Sequence, residues 1–190
     1  MLAGFLFSLF TATFFDIPLT WQWVVLGMLF ALLPDIDFFV EFLQRGTVGG
    51  KTLGAHRVLT HVPLLFVIPG IALWYFFGIP LAILFALSIT WHFLHDSHAM
   101  GYGYRMFYPF SPKFYKFFSD REGDYHYDFK HFFMGWSQDE VRVLHQKYGN
   151  DHWIQDHLRH HANTWYRPVV TLLLVSVILY CILLLIRLAL

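Results

Sequence analysis

Three short motifs contain side chains of the kinds that bind metal ions. They are residues 32–37 (LLPDID), 56–61 (HRVLTH) and 92–96 (HFLHD). Imidazole nitrogens and carboxylate oxygens in one set suit zinc, manganese, iron or cobalt, with zinc and manganese the leading candidates. The sequence therefore predicts one or two divalent ions. Six residues are the predicted ligands: Asp35, Asp37, His56, His61, His92 and Asp96.

The spacing within each motif also allows a simpler role. Carboxylates that follow an apolar helix are costly unless they are paired or metal-bound, but those of the first motif are also suitable caps for residues 38–44. Residues 56–61 are equally typical of an interfacial anchor. His92 and Asp96 share one helix face, although a polar helix end would show the same spacing.

The number of candidate ligands bears on the chemistry. Six exceed the four of a tetrahedral zinc site; they suit one six-coordinate ion, or two ions about 3.5–4 Å apart with a bridging carboxylate. We predict a metal-dependent hydrolase that acts on a lipid or lipid-linked phosphoester. Arg57 would hold a substrate anion, and His95 or a carboxylate would be the general base. The alternative is a non-catalytic metal-binding membrane protein, such as a scaffold, a sensor or an ion handler.

The elements that carry these motifs are apolar. The 190 residues are 57% hydrophobic and 14% charged, against about 25% charged in a soluble domain. A full membrane span needs roughly 20 residues, and most of the apolar runs are shorter. The sequence predicts an all-α integral membrane helical bundle with about five transmembrane or partly re-entrant helices. The five runs are residues 2–15, 19–33, 62–77, 81–94 and 169–186, and Pro69-Gly70 is a predicted kink.

Counting the crossings places the three motifs on one side of the bilayer. If all five runs cross, the first motif ends the second helix, the second motif begins the third, and the third motif ends the fourth. Twelve of the 13 basic residues then lie on that side and only Arg187 lies opposite. The positive-inside rule predicts that the metal site faces the cytoplasm. Zero net charge and no basic stripe argue against a nucleic-acid partner.

The chain divides into three predicted parts: a membrane core (1–96), an interfacial or cytoplasmic insert (97–167) and a C-terminal transmembrane helix (168–190). The insert, rich in aromatic residues and His, should be mostly helical. Its residues 112–119 are typical of a segment that lies in the membrane interface. Ser137 to Glu140 form a capping box, and Gly149 suits the end of that helix. The other polar candidates are most simply surface or interfacial groups: His145, His157, His161, Asp124, His126, Asp128 and His131.

The order of the motifs resembles that of a known family. LPDID, then HRxxTH, then HxxxD with the later Tyr108-Pro109, is similar to the YdjM-like family over roughly residues 27–112. The paired LPDID and HRxxTH motifs are specific, whereas HxxxD alone is weak. The resemblance implies a helical fold embedded in the inner membrane and a metal-dependent hydrolase activity.

Overall fold

The computed structural model describes residues 1–98, 101–119, 130–152 and 154–156. Most of these residues are helical, and a small two-stranded sheet lies in the insert. Two short 3₁₀ turns, Leu33–Asp35 and Pro63–Phe66, precede α3 and α4. The elements are α1 (Leu2–Phe14), α2 (Trp21–Leu32), α3 (Ile36–Arg45), α4 (Val67–Phe77), α5 (Ile79–His98), β1 (Phe114–Phe117), β2 (Phe133–Trp136) and α6 (Gln138–Tyr148).

Helices α1 and α2 form a tight hairpin because small residues face each other. Thr20 caps α2 by accepting a hydrogen bond from the Trp23 amide. A Cβ at Gly4 or Gly27 would collide with the backbone of the opposite helix, so the two helices touch through their main chains. The Ser8 hydroxyl lies in this contact and donates to the Gly4 carbonyl oxygen at 2.8 Å. Such close packing of small residues is typical of helices in membranes.

Helix α2 ends at Leu32, within one residue of the predicted end of the second apolar run, but the chain remains helical beyond it. Pro34 has no amide hydrogen, but in the first positions of a new turn none is needed. The chain therefore passes through the 3₁₀ turn into α3, and Trp21–Arg45 is one helical stretch. Asp35 occupies the N-cap position of α3 but makes no side-chain capping hydrogen bond, which leaves its carboxylate available to the site.

Two helical stretches are long and apolar enough to cross a membrane in the part of the chain that the structure describes. They are Trp21–Arg45 and Ile79–Ser97, while Leu2–Phe14 and Pro63–Phe77 are apolar but shorter. Pro69 lies in the first turn of α4, where a proline is tolerated. The fifth apolar run lies outside the described residues, so the five-helix membrane bundle remains a prediction.

Helix α5 is the centre of the bundle and contacts α1, α2 and α4. Its residues Phe85, Ile89 and Phe93 recur at helical spacing and form the main buried cluster with Tyr104 of the insert. The same face of α5 continues to His92 and Asp96. Packing of the apolar face therefore also fixes the direction in which the third motif points.

The insert contains a two-stranded sheet, and the prediction that it is mostly helical is wrong for that part. Strands β1 and β2 pair antiparallel, with Phe114 opposite Trp136 and Phe117 opposite Phe133. Three of the four residues of β1 are aromatic, and aromatic residues favour strands. Phe114 and Trp136 are buried with Tyr102 and with Val141 of α6, and this second cluster holds the insert together.

Helix α6 begins as its sequence predicts. The Ser137 hydroxyl accepts from the Glu140 amide, and the Glu140 carboxylate accepts from the Ser137 amide, which is a complete capping box. Gly149 ends the helix as predicted, but its backbone is extended rather than left-handed. A Cβ there would collide with the carbonyl oxygen of Gly50, so glycine is required by a close approach between two loops.

Candidate metal centre

Four side chains from three separate elements converge at one point. Asp35 comes from the 3₁₀ turn, His61 from the loop before α4, and His92 and Asp96 from α5. His61 Nε2 lies 3.0 Å from Asp96 Oδ2, 3.6 Å from Asp35 Oδ1 and 3.3 Å from His92 Nε2. His92 Nε2 lies 3.5 Å from each of the same two carboxylate oxygens. These four side chains are called the inner group below.

The spacing of the inner group is that of ligands around one small ion. Zinc lies about 2.0–2.1 Å from nitrogen and oxygen ligands, so the edges of a tetrahedral site are about 3.3 Å long. The five nitrogen and oxygen separations given above span 3.0 to 3.6 Å. The inner group can therefore hold a metal ion without large movement of its side chains.

Hydrogen bonds direct the metal-binding nitrogens of both histidines toward that point. His92 Nδ1 lies 2.7 Å from the carbonyl oxygen of Ala31; a carbonyl only accepts, so Nδ1 carries the hydrogen. His61 Nδ1 lies 3.0 Å from Asp37 Oδ2 and donates in the same way. In a neutral ring the lone pair is then on Nε2, which is the usual arrangement around a ligating histidine.

Asp96 supplies an oxygen that the described residues leave without a hydrogen bond. Its Oδ2 is buried and accepts none in acceptable geometry, although it faces both imidazoles. The other oxygen, Oδ1, accepts from Arg57 Nη2 at 3.2 Å. A buried carboxylate oxygen of this kind is costly unless a cation completes it, which fits a metal ion.

Asp37 and His56 lie behind His61 in a second group. Asp37 is fully buried; Oδ2 accepts from His61 Nδ1 and from the Thr60 amide, and Oδ1 lies 3.0 Å from His56 Nδ1. The Thr60 hydroxyl donates to the carbonyl oxygen of Pro34, which ties the first two motifs together. Ligation by Asp37 and His56 stays a prediction, because the described contacts already occupy both oxygens of Asp37.

The charges of the site favour a divalent cation. Asp35, Asp37 and Asp96 bring three carboxylates near His61, and Arg57 brings one guanidinium. With neutral imidazoles the balance is two negative charges. Burial lowers the pKa of His61, but the three nearby carboxylates raise it to about 10. Without metal, a proton on His61 therefore offsets part of this charge.

The site is closed on most sides and open at one. His61 is fully buried and Asp96 nearly so, whereas the Asp35 side chain is 32% exposed. His95 is 65% exposed and its Nδ1 lies 3.5 Å from Asp96 Oδ1, so it stands at the edge of the centre. Solvent therefore reaches the inner group from the side of Asp35.

A comparison with known protein families matches nearly the whole chain. A family model described as YdjM inner membrane protein matches residues 1–189. The chain belongs to this family. The match covers the insert as well as the membrane core, and it agrees with the two helices of membrane-spanning length. No curated protein and no solved structure matches the chain.

In this family member, sequence analysis misses Glu41, although its side chain organises the ligand loop (residues 46–61). Glu41 is buried in α3 and pairs with Arg45 at 2.5 Å. Its carboxylate also accepts from the backbone amides of Gly49 at 3.0 Å and His56 at 2.6 Å. Two features of the sequence could have indicated this role of Glu41: its i,i+4 spacing to Arg45 and the glycines of the loop. A Cβ at Gly54 would collide with the Glu41 carboxylate.

Helix α6 and the residues that follow it hold the other side of the ligand loop. His145 Nδ1 donates to the carbonyl oxygen of Gly50 at 2.9 Å, and Asp151 Oδ1 accepts from the Lys51 amide at 2.9 Å. Burial lowers the pKa of His145, which keeps the ring neutral for this contact. His145 is therefore a support for the loop and lies outside both groups of potential ligands.

The second motif is not helical. Residues 55–60 form turns, and Arg57 has a positive φ of 63°, a conformation that costs a non-glycine residue free energy. The turn is what lets His56 and His61 approach Asp37 from two directions. His131 is exposed, and Asp124, His126, Asp128, His157 and His161 lie outside the described residues.

Proposed function

We propose that this protein is a membrane-bound, metal-dependent hydrolase whose ion is held by Asp35, His61, His92 and Asp96. The observation that carries the proposal is the tetrahedral spacing of the inner group, together with its one exposed member. Three ligands that are no more than 10% exposed and one open side are typical of a catalytic site, because water must reach the ion. Zinc and manganese both accept this mixture of nitrogen and oxygen ligands.

Each residue has a distinct task in this proposal. When bound, the ion lowers the pKa of a water molecule and polarises the bond to be cleaved. His95, 65% exposed at the edge of the centre, would accept the proton of a water molecule that enters from the open side and joins the four ligands. Arg57, already fixed against Asp96 at 3.2 Å, stabilises the negative charge of a phosphoester substrate. Asp37 orients His61 from behind.

The decisive experiment compares variants for metal content and hydrolysis. Detergent-purified protein would be loaded with zinc or manganese and assayed against phosphomonoesters, phosphodiesters and carboxylic esters. We expect Asp35→Ala and His61→Ala to abolish turnover, while His152→Ala, an exposed histidine outside the centre, behaves as wild type. Activity that survives in both ligand variants would reject the hydrolase proposal.

The second candidate is a non-catalytic metal protein, and one observation favours it. If all four members of the inner group bind a tetrahedral ion, no position remains for water, as in structural zinc sites. One tightly bound ion per chain, no turnover and a large loss of stability on chelation would together support this function. A bound ion that exchanges freely and supports turnover would exclude it.

We also propose that the centre faces the cytoplasm. The support is the basic content of the short ligand loop and its neighbours, Arg45, Lys51 and Arg57. A cysteine at Leu43, which is exposed at the end of α3, can report this in a Cys181→Ser background. Labelling by a membrane-impermeant maleimide only in inverted vesicles is the expected result, and labelling in right-side-out vesicles would reverse the orientation.

A further inference from the structure

Lys116 of β1 points into the insert and is almost fully buried. Only 3% of this residue is exposed, so this part of the segment predicted to lie in the membrane interface does not face the interface. Lys116 Nζ donates to the carbonyl oxygen of Gly101 at 2.9 Å. An ammonium group is costly to bury unless its hydrogen bonds are satisfied. The contact therefore has a structural purpose, and it fixes the orientation of the Gly101 peptide group.

Gly101 in turn lies directly against the guanidinium of Arg57. A Cβ built at Gly101 would be 3.1 Å from Arg57 Nη1, and the φ of Gly101 is +90°, a value that residues other than glycine rarely adopt. Arg57 Nη2 donates to Asp96 Oδ1 at 3.2 Å. A line of contacts therefore leads from Lys116 through Gly101 and Arg57 to the metal centre.

The backbone that follows Gly101 is fixed to the same strand. Tyr104 and Tyr115 exchange backbone hydrogen bonds of 2.9 and 3.3 Å. A Cβ at Gly103 would collide with the carbonyl group of Tyr115, so the chain there passes in direct contact with β1. Tyr104 also packs against Phe93 of α5, with ring centroids 5.1 Å apart. Because both β1 and α5 hold this stretch of chain, Gly101 has little freedom to move.

The ligand loop also meets the insert at the residue next to Arg57. Val58 packs against the buried cluster of the insert that contains Tyr102 and Phe114. Arg57 has a positive φ of 63°, and such a conformation persists only where the surrounding structure holds it. The insert therefore supports the Arg57 backbone through Val58 and the Arg57 guanidinium through Gly101.

We propose that Lys116 and Gly101 are positioning residues, which hold the Arg57 guanidinium in place for a tetrahedral oxyanion such as the phosphate group of a substrate. The proposal rests on the function proposed above, in which Arg57 stabilises the charge of a phosphoester. A flexible arginine loses rotational freedom when it binds an anion, and a displacement of about 1 Å can reduce turnover about 100-fold. A guanidinium that is held in advance avoids both losses. The sheet of the insert is then part of the anion site without contacting the anion.

The test measures the binding of inorganic phosphate to full-length, zinc-loaded protein in detergent by titration calorimetry. Lys116→Met keeps most of the apolar stem and removes the donor to Gly101. Lys113→Met makes the same change at an exposed position in the same segment. We expect Lys116→Met to weaken phosphate binding about tenfold at unchanged zinc content, while Lys113→Met binds phosphate as wild type does.

Gly101→Ala tests the same contact from its other side. The added methyl group would press on the Arg57 guanidinium, so phosphate binding should weaken to a similar degree. Gly78→Ala is the matched control, because Gly78 has a φ of +88° at the other end of α5 and the nearest atom to its Cβ would be 3.7 Å away. This control should bind phosphate with wild-type affinity.

An Arg57→Gln background shows whether these effects pass through Arg57. Arg57→Gln alone should bind phosphate at least as weakly as Lys116→Met, and adding Lys116→Met should cause no further loss. Losses that add would overturn the proposal, because Lys116 would then act elsewhere. Wild-type affinity in Lys116→Met or Gly101→Ala, or loss of zinc from both, would overturn it as well. If Lys116→Met does not fold, Gly101→Ala in the two backgrounds decides.

The same measurements separate this proposal from that of hydrolysis. A protein that binds phosphate with the expected coupling but cleaves no ester would reject the hydrolase function and support the positioning of Arg57. A wild-type protein that cleaves carboxylic esters and binds no phosphate would support hydrolysis and overturn the positioning role.

Discussion

Replacing Asp37 by Asn tests whether this buried carboxylate orients a ligand or is a ligand. The carboxylate receives hydrogen bonds from His61 and from the Thr60 amide at one oxygen and faces His56 at the other. Asparagine keeps the shape and one acceptor oxygen, which can still receive the His61 and Thr60 donors. Its amide group can donate to Nδ1 of His56 when the hydrogen of that ring is on Nε2. What is lost is the negative charge that makes His61 a stronger ligand.

The expected loss of metal affinity is that of a supporting residue, because Asp37 lies behind His61 and outside the inner group. Substitution of such supporting partners typically weakens metal binding about 10- to 100-fold, or about 1.4 to 2.8 kcal/mol. Asp96→Asn removes an oxygen that faces both imidazoles at 3.0 and 3.5 Å, so its effect should exceed that range. His56→Ala removes only the contact at Oδ1 and should cost less than either.

The measurement is a competition titration with a chromophoric chelator, in detergent, at fixed pH. Circular dichroism and size-exclusion chromatography would establish that each variant is folded. Equal losses in Asp37→Asn and Asp96→Asn would refute the reasoning, because Asp37 would then behave as a direct ligand. A fall from two bound ions to one in His56→Ala would instead support the two-ion arrangement.

Three other results are expected. Because the pKa of His61 is raised to about 10, an ion must displace its proton, so binding at pH 7–8 should release one proton and strengthen as pH rises toward 10; a pH indicator would measure this. Glu41→Ala removes the acceptor of two loop amides and should lower the free energy of unfolding by about 3 kcal/mol or more, as measured by thermal unfolding. Asp139→Ala, at an exposed position, is the control and should leave it unchanged. Gly27→Ala places a methyl 2.5 Å from a carbonyl oxygen of α1 and should lower the melting temperature, whereas Gly70→Ala has room; equal shifts would contradict the packing.

Much of the candidate centre is predictable from sequence because helix geometry dominates it. His92 and Asp96 lie one turn apart on a long apolar helix, so any model that makes this segment helical brings them together. Asp35 lies near them because the chain runs away through α4 and returns through α5 between the first motif and the third. These relations depend only on periodicity and on the order of apolar runs.

The remaining contacts could not be predicted because they depend on irregular backbone. His56 and His61 reach Asp37 through turns rather than a helix, and no periodicity describes the positive φ of Arg57. Glu41 looks like an ordinary surface residue of an i,i+4 pair until the glycine-rich loop folds over it. The sequence of β1 does not alternate between apolar and polar residues, because aromatic side chains lie on both of its faces.

The dependence of the ligand loop on α6 sets an order for assembly during synthesis. His145 and Asp151 hold Gly50 and Lys51 from about one hundred residues further along the chain. A nascent chain that has inserted α1 to α5 already contains every residue of the inner group, yet its loop still lacks one of its two supports. The centre is therefore completed only after the insert has been translated, and a chain interrupted before α6 should bind metal weakly even though all four ligands are present.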